Sequence, residues 1–429
     1  MSDPLRLGIA GLGTVGIGVV RIIQQKANLL AARTGRPVVI TAVSARSRDK
    51  DRGADLSAYD WEDDPVALAT RDDVDVFVEL MGGEDGPAKD ATEAAIAAGK
   101  DVVTANKAML AVNGQALAEM AEAAGRVIRF EAAVAGGIPV VKALTEGLAG
   151  NQVSRVMGVM NGTCNYILTR MQSAGLSYDE VFEEANQLGY LEADPNLDVG
   201  GIDAGHKLAL LSAIAFGTAV DFGGVTLEGI GQVTIEDINQ AAELGFRIKL
   251  LGVARMTGRG LEQRMTPCLV PAQSPLGQLE GGTNMVVLEG DAVGQIVLRG
   301  AGAGEGPTAS AVLSDIMDIA RGVRLSTFGQ PAVGLEHANR AQVAAAAPYY
   351  LRLTLTDKPG ALAKVAAVLG DCGISIDRMR QRSHGGGADA PVLIVTHKVS
   401  APSLDEALAT LPQTDVVVGQ PVALRIEDI

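Results

Sequence analysis

Read for the spacing of its apolar and polar positions, the chain opens on a short buried strand, Leu5–Ala10, and passes at once into an apolar-periodic helix, Val15–Leu30. Apolar runs rich in Val and Ile predict further strands at Val38–Ser44, Val74–Met81, Asp101–Thr104, Val127–Glu131 and Val153–Val159, with a helix over Pro87–Ala98. Strands separated by helical stretches indicate an α/β chain with a doubly wound parallel sheet. Further on, Leu208–Phe216 reads as an apolar helix, segments past about Leu269 and Met285 alternate like strands of a second sheet, and Thr308–Gly322 reads as a helix opened by a Gly-rich turn. After an Ala-rich break ending at Pro348, the pattern changes again. Strand Tyr349–Thr356, helix Ala361–Cys372, strand Ile374–Gln381, a Gly-rich hairpin at His384–Ala388, strand Val392–Val399, helix Leu404–Leu411 and strand Val416–Ile426 spell βαββαβ, a ferredoxin-like order.

The 429 residues suffice for two or three domains, and 47% hydrophobic with 20% charged residues marks a globular chain. Aromatic residues make up 3%, too few for base-stacking platforms, and a formal net charge of −15 disfavours binding to a phosphate backbone. Cys164, Cys268 and Cys372 are far apart and odd in number, so neither a disulfide framework nor a zinc site is expected. No signal-peptide pattern opens the chain, and the apolar run from about Leu208 to Val220 is too short to span a bilayer. The expectation is a cytoplasmic protein that uses neither membrane nor nucleic acid.

Gly11, Gly13 and Gly16 form GxGxxG between the first strand and its helix. In a Rossmann-type domain that placement gives a tight turn, a close approach to a pyrophosphate and close helix–strand packing, with the pyrophosphate resting on the helix N-terminus. NAD-preferring units usually carry an acid at the tip of the second strand. Here the tip runs Val43-Ser44-Ala45-Arg46-Ser47-Arg48, without an acid and with two arginines. That pattern points to NADP; if Arg46 and Arg48 are ordinary surface charges, NAD remains open. Thr104-Ala-Asn106-Lys107 follows a strand at the carboxyl edge of the sheet, where ligands bind, so Lys107 is a candidate to face both nicotinamide and substrate.

The densest chemistry lies at Gly189–Lys207, with Glu192, Asp194, Asp198 and Asp203 ahead of Lys207. Asp203 and Lys207 are four apart and share a helix face, with Asp203 in the first turn. The plain interpretation is an acidic loop and a surface ion pair. Beside a dinucleotide fingerprint, the same residues read as a site for a small cationic, hydroxyl-bearing substrate. Cys164, at a strand-to-helix turn, is a candidate nucleophile of the kind that aldehyde and semialdehyde dehydrogenases acylate, but no His is near it in sequence.

Taken together, Gly11–Gly16, Thr104–Lys107, Glu131–Pro139, Asn161–Leu168, Gly189–Lys207 and Gly302–Thr308 resemble homoserine dehydrogenase along essentially the whole chain. The resemblance implies reversible oxidation of L-homoserine to L-aspartate 4-semialdehyde, on the route to threonine, methionine and isoleucine. It makes Lys207 and Lys107 the catalytic lysines, and Glu192, Asp198 and Asp203 the substrate-binding acids. Gly304 joins Gly11, Gly13, Thr14, Val15, Gly16, Arg46, Thr104 and Lys107 at the cofactor, NADP or NAD. Glu131, Val134, Gly136 and Ile138 fall where the family binds a monovalent cation, Na or K. Cys164 stands where Thr is common, and Glu305 where Gly is common, a change that could alter the cofactor pocket.

The implied domains are 1–135 for the dinucleotide, completed by about 303–340; an α+β substrate-binding and dimerisation domain at 136–302; and 349–429. The Asp357-Lys-Pro-Gly360 turn makes the last segment resemble an ACT domain, with L-threonine the implied effector and a homodimer or homotetramer the implied assembly. A module used only for dimerisation is the rival reading. For the whole chain, the rivals are a non-catalytic nucleotide and amino-acid sensor, and a dehydrogenase acylated on Cys164. Retention of both lysines and the acids favours the enzyme.

Overall fold

The computed structural model describes residues 3–191, 194–381 and 389–429. In chain order, its first half contains β1 (Leu5–Ala10), α1 (Thr14–Thr34), β2 (Val38–Ser44), β3 (Asp60–Glu62), α2 (Pro65–Thr70), β4 (Val76–Glu79), α3 (Pro87–Ala97), β5 (Asp101–Thr104), α4 (Lys107–Ala123) and β6 (Ile128–Arg129). These strands form one parallel sheet in the order β3-β2-β1-β4-β5-β6, the doubly wound order that binds a dinucleotide across its carboxyl edge. β4 and β5 are buried throughout, as expected of strands covered on both faces.

Two strands are shorter than their apolar runs predict. β4 ends at Glu79: the Leu80 N–H still donates to Ala10 O, but the N–H groups of Met81 and Gly82 turn back onto the Glu79 carboxylate. β6 ends at Arg129 because a 3-10 turn begins at Glu131.

The chain then leaves this sheet through α5 (Val140–Lys142) and a π-helical turn, Ala143–Gly147. β7 (Val153–Val159), α6 (Gly162–Ala174), α7 (Tyr178–Gln187), α8 (Pro195–Val199) and α9 (Ile202–Phe216) follow. Next come β8 (Val225–Leu227), α10 (Ile235–Glu243), β9 (Phe246–Thr257), β10 (Gly260–Pro271), β11 (Thr283–Gly290) and β12 (Gly294–Ala301). β9 carries little sequence signature because its buried run is interrupted by Lys249, itself buried, and by Gly252. α11 (Glu305–Ala320) then returns to the first domain and packs along α1 in one core. Gly18 permits the approach, since a Cβ there would meet the Ala309 Cβ at 3.0 Å.

The last segment is β13 (Tyr349–Thr356), α12 (Ala361–Asp371), β14 (Ile376–Gln381), β15 (Asp389–Thr396), α13 (Ala401–Thr410) and β16 (Val417–Ile426). Its four strands run β16-β13-β15-β14 and are antiparallel. The hairpin expected at His384–Ala388 lies outside the described residues.

The break before Pro348 does not act as a free linker. Ala345 N–H donates to Glu262 Oε2 at 3.1 Å, and Ala347 and Val399 exchange backbone hydrogen bonds. β16 pairs in parallel with β10 through Cys268–Arg425 and Leu269–Ile426, making one continuous sheet, β12-β11-β7-β9-β10-β16-β13-β15-β14. One face of the module is covered by its own helices. The other buries Tyr350, Leu393, Val395, Leu424 and Ile426 in the main core.

Candidate active site

The site forms where the carboxyl edge of the first sheet meets the start of α9. Gly201, at φ 81°, turns the chain into α9, placing Asp203 in the first turn and Lys207 one turn on. Lys207 Nζ donates to Asp203 Oδ2 at 2.7 Å and to Met160 O at 2.8 Å. From the other side, Lys107 Nζ lies 3.0 Å from Asp203 Oδ1. Lys107 is the first residue of α4, and Asn106 caps that helix by accepting the Met109 N–H. One carboxylate therefore bridges two ammonium groups, and the pair at 203 and 207 is buried, not on the surface. Burial alone would push the Asp203 carboxyl up; Lys207 and Lys107 outweigh it and hold the group well below the usual carboxylate range.

Asp198, on α8, reaches the cluster through Asn161, whose Nδ2 donates to Asp198 Oδ1 at 2.9 Å and to Asp203 Oδ2 at 3.2 Å. The sequence reading passed over Asn161 as a site residue; its signal is the N-cap position ahead of α6, where its Oδ1 accepts the Cys164 N–H. It also passed over His206, whose ring packs tilted against Phe222, with centroids 4.2 Å apart and planes at 47°. Burial, and then the nearby Lys107, lower the affinity of His206 for a proton. Cys164 is fully buried, its thiol donates to Asp198 O, and burial raises it well above an ordinary thiol. A nucleophile needs the opposite environment. Glu192 lies outside the described residues.

On the cofactor side, Gly11 takes φ 97°, and a Cβ there would lie 2.3 Å from Leu80 O; at Gly16 it would lie 2.0 Å from Gly11 O. Gly13 has open space beyond it, the N-terminus of α1 has no side-chain cap, and its first turn holds no acid. Orphan N–H groups at an uncapped helix start, faced by open space, fit a pyrophosphate. Thr14 is exposed there and Val15 half-buried. Arg46 and Arg48 are exposed on the loop after β2. Gly304 is the N-cap of α11, and Glu305 is paired with Arg21 at 2.6 Å. Thr104 is fully buried, with its hydroxyl turned onto Glu79.

Glu131 is buried and accepts the N–H groups of Val141 and Lys142 at 2.9 and 2.8 Å. Burial, with Asp315 adding to it, pushes its carboxyl up to about 7. Val134, Gly136 and Ile138 are buried in the turn that follows. There Ala135, at φ 55°, is the one non-glycine residue with positive φ among the described residues. A positive φ outside glycine marks this turn as strained.

The doubly wound sheet, its uncapped helix and the lysine–carboxylate site at the carboxyl edge are those of an NAD(P)-dependent oxidoreductase acting on a CH–OH group. Family profiles described as homoserine dehydrogenase, homoserine dehydrogenase NAD binding domain and ACT domain match residues 139–317, 11–131 and 349–412. The chain belongs to the homoserine dehydrogenase family. It is 42% identical to the homoserine dehydrogenase of Neisseria gonorrhoeae, over 99% of both chains. A crystal structure of a homoserine dehydrogenase from Thiobacillus denitrificans superposes with a TM-score of 0.94 at 40% identity, covering 99% of this chain and 98% of that one. A hyperthermophilic archaeal homoserine dehydrogenase mutant, solved in complex with NADPH, has a TM-score of 0.62 at 27% identity, over 73% of this chain and 97% of its own.

Proposed function

We propose that the chain oxidises L-homoserine reversibly to L-aspartate 4-semialdehyde, with Lys107 and Lys207 as the catalytic residues. The observation that carries this reading is the buried Asp203 carboxylate held between the two ammonium groups. The bound nicotinamide supplies the hydride acceptor. The protein must then hold the CH–OH carbon in place and move one proton. In the oxidative direction a neutral lysine takes the hydroxyl proton; in the reductive direction the ammonium returns it to the developing alkoxide. Both Asp203 oxygens are engaged by the lysines, so its part is to orient them and offset their charge. Asp198 and Glu192 supply the negative charge for the substrate ammonium.

Gly11, Gly13, Thr14, Val15, Gly16 and Gly304 hold the cofactor phosphates, Arg46 the adenosine ribose, and Lys107 the nicotinamide side; Thr104, expected from the sequence to touch the cofactor, is fully buried with its hydroxyl on Glu79 and supports that edge from behind. The two arginines after β2 favour NADP, in line with the archaeal relative solved with NADPH. Glu131, Val134, Gly136 and Ile138 hold a monovalent cation that steadies the turn between the domains. The domains are 1–135 completed by 303–340, then 136–302, then 349–429. The last is a feedback module for the threonine, methionine and isoleucine route, with L-threonine as effector. The assembly is a homodimer or homotetramer; β12, a sheet-edge strand flanked by exposed Val293 and carrying exposed Val297, supports association. Three free thiols suit a reducing cytoplasm.

Homoserine-dependent reduction of NADP, with NAD in parallel and L-threonine titrated to millimolar concentration, tests this reading. No homoserine-dependent reduction of either cofactor would overturn it, and indifference to threonine would overturn its regulatory part.

A further inference from the structure

Glu79 ends β4, is fully buried, and collects three donors of which none is a cation. Its Oε1 accepts the N–H groups of Met81 and Gly82 at 2.7 and 3.1 Å. Its Oε2 accepts the Thr104 hydroxyl at 2.6 Å, at the tip of the neighbouring strand β5. That hydroxyl accepts the Asn106 N–H at 2.9 Å. The Asn106 side chain then donates to Gly83 O at 2.7 Å and accepts the Met109 N–H at 3.1 Å. The chain of bonds closes on itself: Glu79 holds the turn 81–83 directly, and holds it again through Thr104 and Asn106. Met81 and Gly82 donate to Glu79 directly, and Asn106 N–H donates through the Thr104 hydroxyl towards it, while the Asn106 side chain donates the other way, to Gly83 O.

Lys107 is the next residue, and it reaches Asp203 across the domain boundary. A buried carboxylate without a counter-cation is costly unless its hydrogen bonds are needed. The turn 81–83 and the start of α4 together form the carboxyl edge beside which the nicotinamide end of a dinucleotide rests.

We infer that Glu79 is a positioning residue for hydride transfer: through Thr104 and Asn106 it fixes Lys107, and through Met81 and Gly82 it shapes the turn beneath the cofactor. The first half of this inference rests on the reading of Lys107 as catalytic.

Thr104→Val keeps shape but removes the hydroxyl relay, whereas Thr104→Ser keeps the relay. Thr104→Val should lower kcat about tenfold, the scale of a small misplacement at a reacting centre, and leave the dissociation constant of the oxidised cofactor, measured by equilibrium binding, within about twofold. Thr104→Ser should restore kcat. Glu79→Gln cannot accept on both sides, and should both lower kcat and weaken equilibrium cofactor binding by about tenfold, the cost of leaving a buried donor unpaired. Wild-type kcat in Thr104→Val, or a Thr104→Ser variant as slow as the valine variant, would overturn the relay. Unchanged cofactor affinity in folded Glu79→Gln would overturn the hold on the turn. If Glu79→Gln does not fold, the Thr104 pair decides. Full activity in Lys107→Ala would remove the reading of Lys107 alone, and cofactor binding by Glu79→Gln still decides the turn.

Discussion

Two buried clusters of alternating charge lie on opposite faces of the long sheet, and they differ in the type of their cations. One is Lys107–Asp203–Lys207, beside α9. The other joins Arg255, Glu262, Arg264, Glu427 and Arg425 across β10 and β16, at the seam between the catalytic part and the ACT domain. In the seam, the side chains of Glu262, Arg264, Glu427 and Arg425 are each 8% exposed or less. In the lysine cluster, Lys107 keeps 29% of its side chain exposed. Arginine holds its proton at all working pH values and locks a geometry; lysine can give its proton up when desolvated. The seam is therefore built to hold, whereas under the proposed role of Lys107 and Lys207 the site must exchange a proton.

The largest effect should come from making the site resemble the seam. Lys207→Ala should lower kcat by roughly 10²–10⁴-fold, the usual range for a lost acid–base group. Lys207→Arg restores the charge without the exchangeable proton, and should remain within about tenfold of the alanine variant if proton transfer is what Lys207 contributes. Steady-state kinetics on folded protein decide this. An active arginine variant would reduce Lys207 to a fixed charge.

Breaking the seam should cost stability and spare chemistry. Glu427→Ala leaves Arg264 and Arg425 buried without their shared partner, and should destabilise by about 3–5 kcal/mol, as removal of one member of a buried pair does. Urea unfolding measures the loss, and kcat should remain within about threefold if the seam is structural. Truncation after Ala347 goes further. An Ala-rich break ahead of a separate βαββαβ pattern would, if it were a free linker, let the truncated chain fold and work without its last module. The structure instead leaves β10 without β16, and strips Tyr350, Leu424 and Ile426 from the main core. The expected outcome is an aggregating protein, read by size-exclusion chromatography. A monodisperse, active truncate would show that the catalytic part closes over this face by itself.

A third buried cluster has excess acid, and its signature is in pH. Glu131 and Asp315 are pushed up by burial to about 7 and about 6. Both folded values lie above those of the unfolded chain, near 4. Between about pH 4 and 7 the folded state thus binds more protons, so this contribution to stability is present at low pH and lost as pH rises towards 7. Glu131→Gln should flatten the fall in unfolding free energy over that window. Sodium or potassium, compared with a bulky organic cation at equal ionic strength, should flatten it in the wild type if the turn after Glu131 binds a cation. An unchanged slope in Glu131→Gln would remove Glu131 as its source.

The legible parts of this molecule were those with local causes. The glycine fingerprint, β1, β2, β5 and the βαββαβ pattern all follow from short-range spacing. Asp203 and Lys207 were legible as neighbours because four residues make one helical turn. Lys107 meeting Asp203 was beyond the reach of spacing, because the two lie on different domains; only the family resemblance joined them. Glu79 was illegible for another reason: a lone acid at a strand end has no periodicity, and its meaning lies in partners 25 residues away. The continuous sheet across β10 and β16 was hidden by the Ala-rich stretch, whose composition imitates a linker while its backbone is hydrogen-bonded.

The smallest effect returns to arginine in a different setting. Arg46 carries the same fixed charge as Arg264, but it lies exposed on the loop after β2. Water and salt screen it, so its attraction for a ribose 2′-phosphate should be modest and should fall as ionic strength rises. Arg46→Asp both removes that attraction and supplies the acid that holds a ribose 2′-hydroxyl in NAD-preferring units. The ratio of kcat/KM for NADP to that for NAD should fall by about tenfold, roughly 1.4 kcal/mol of discrimination, with kcat at saturating cofactor little changed. Raising salt should lower the ratio in the wild type more than in the variant. A wild type that already uses NAD with the higher kcat/KM would show that the loop arginines do not set the choice, and that exposed charge here serves only solubility.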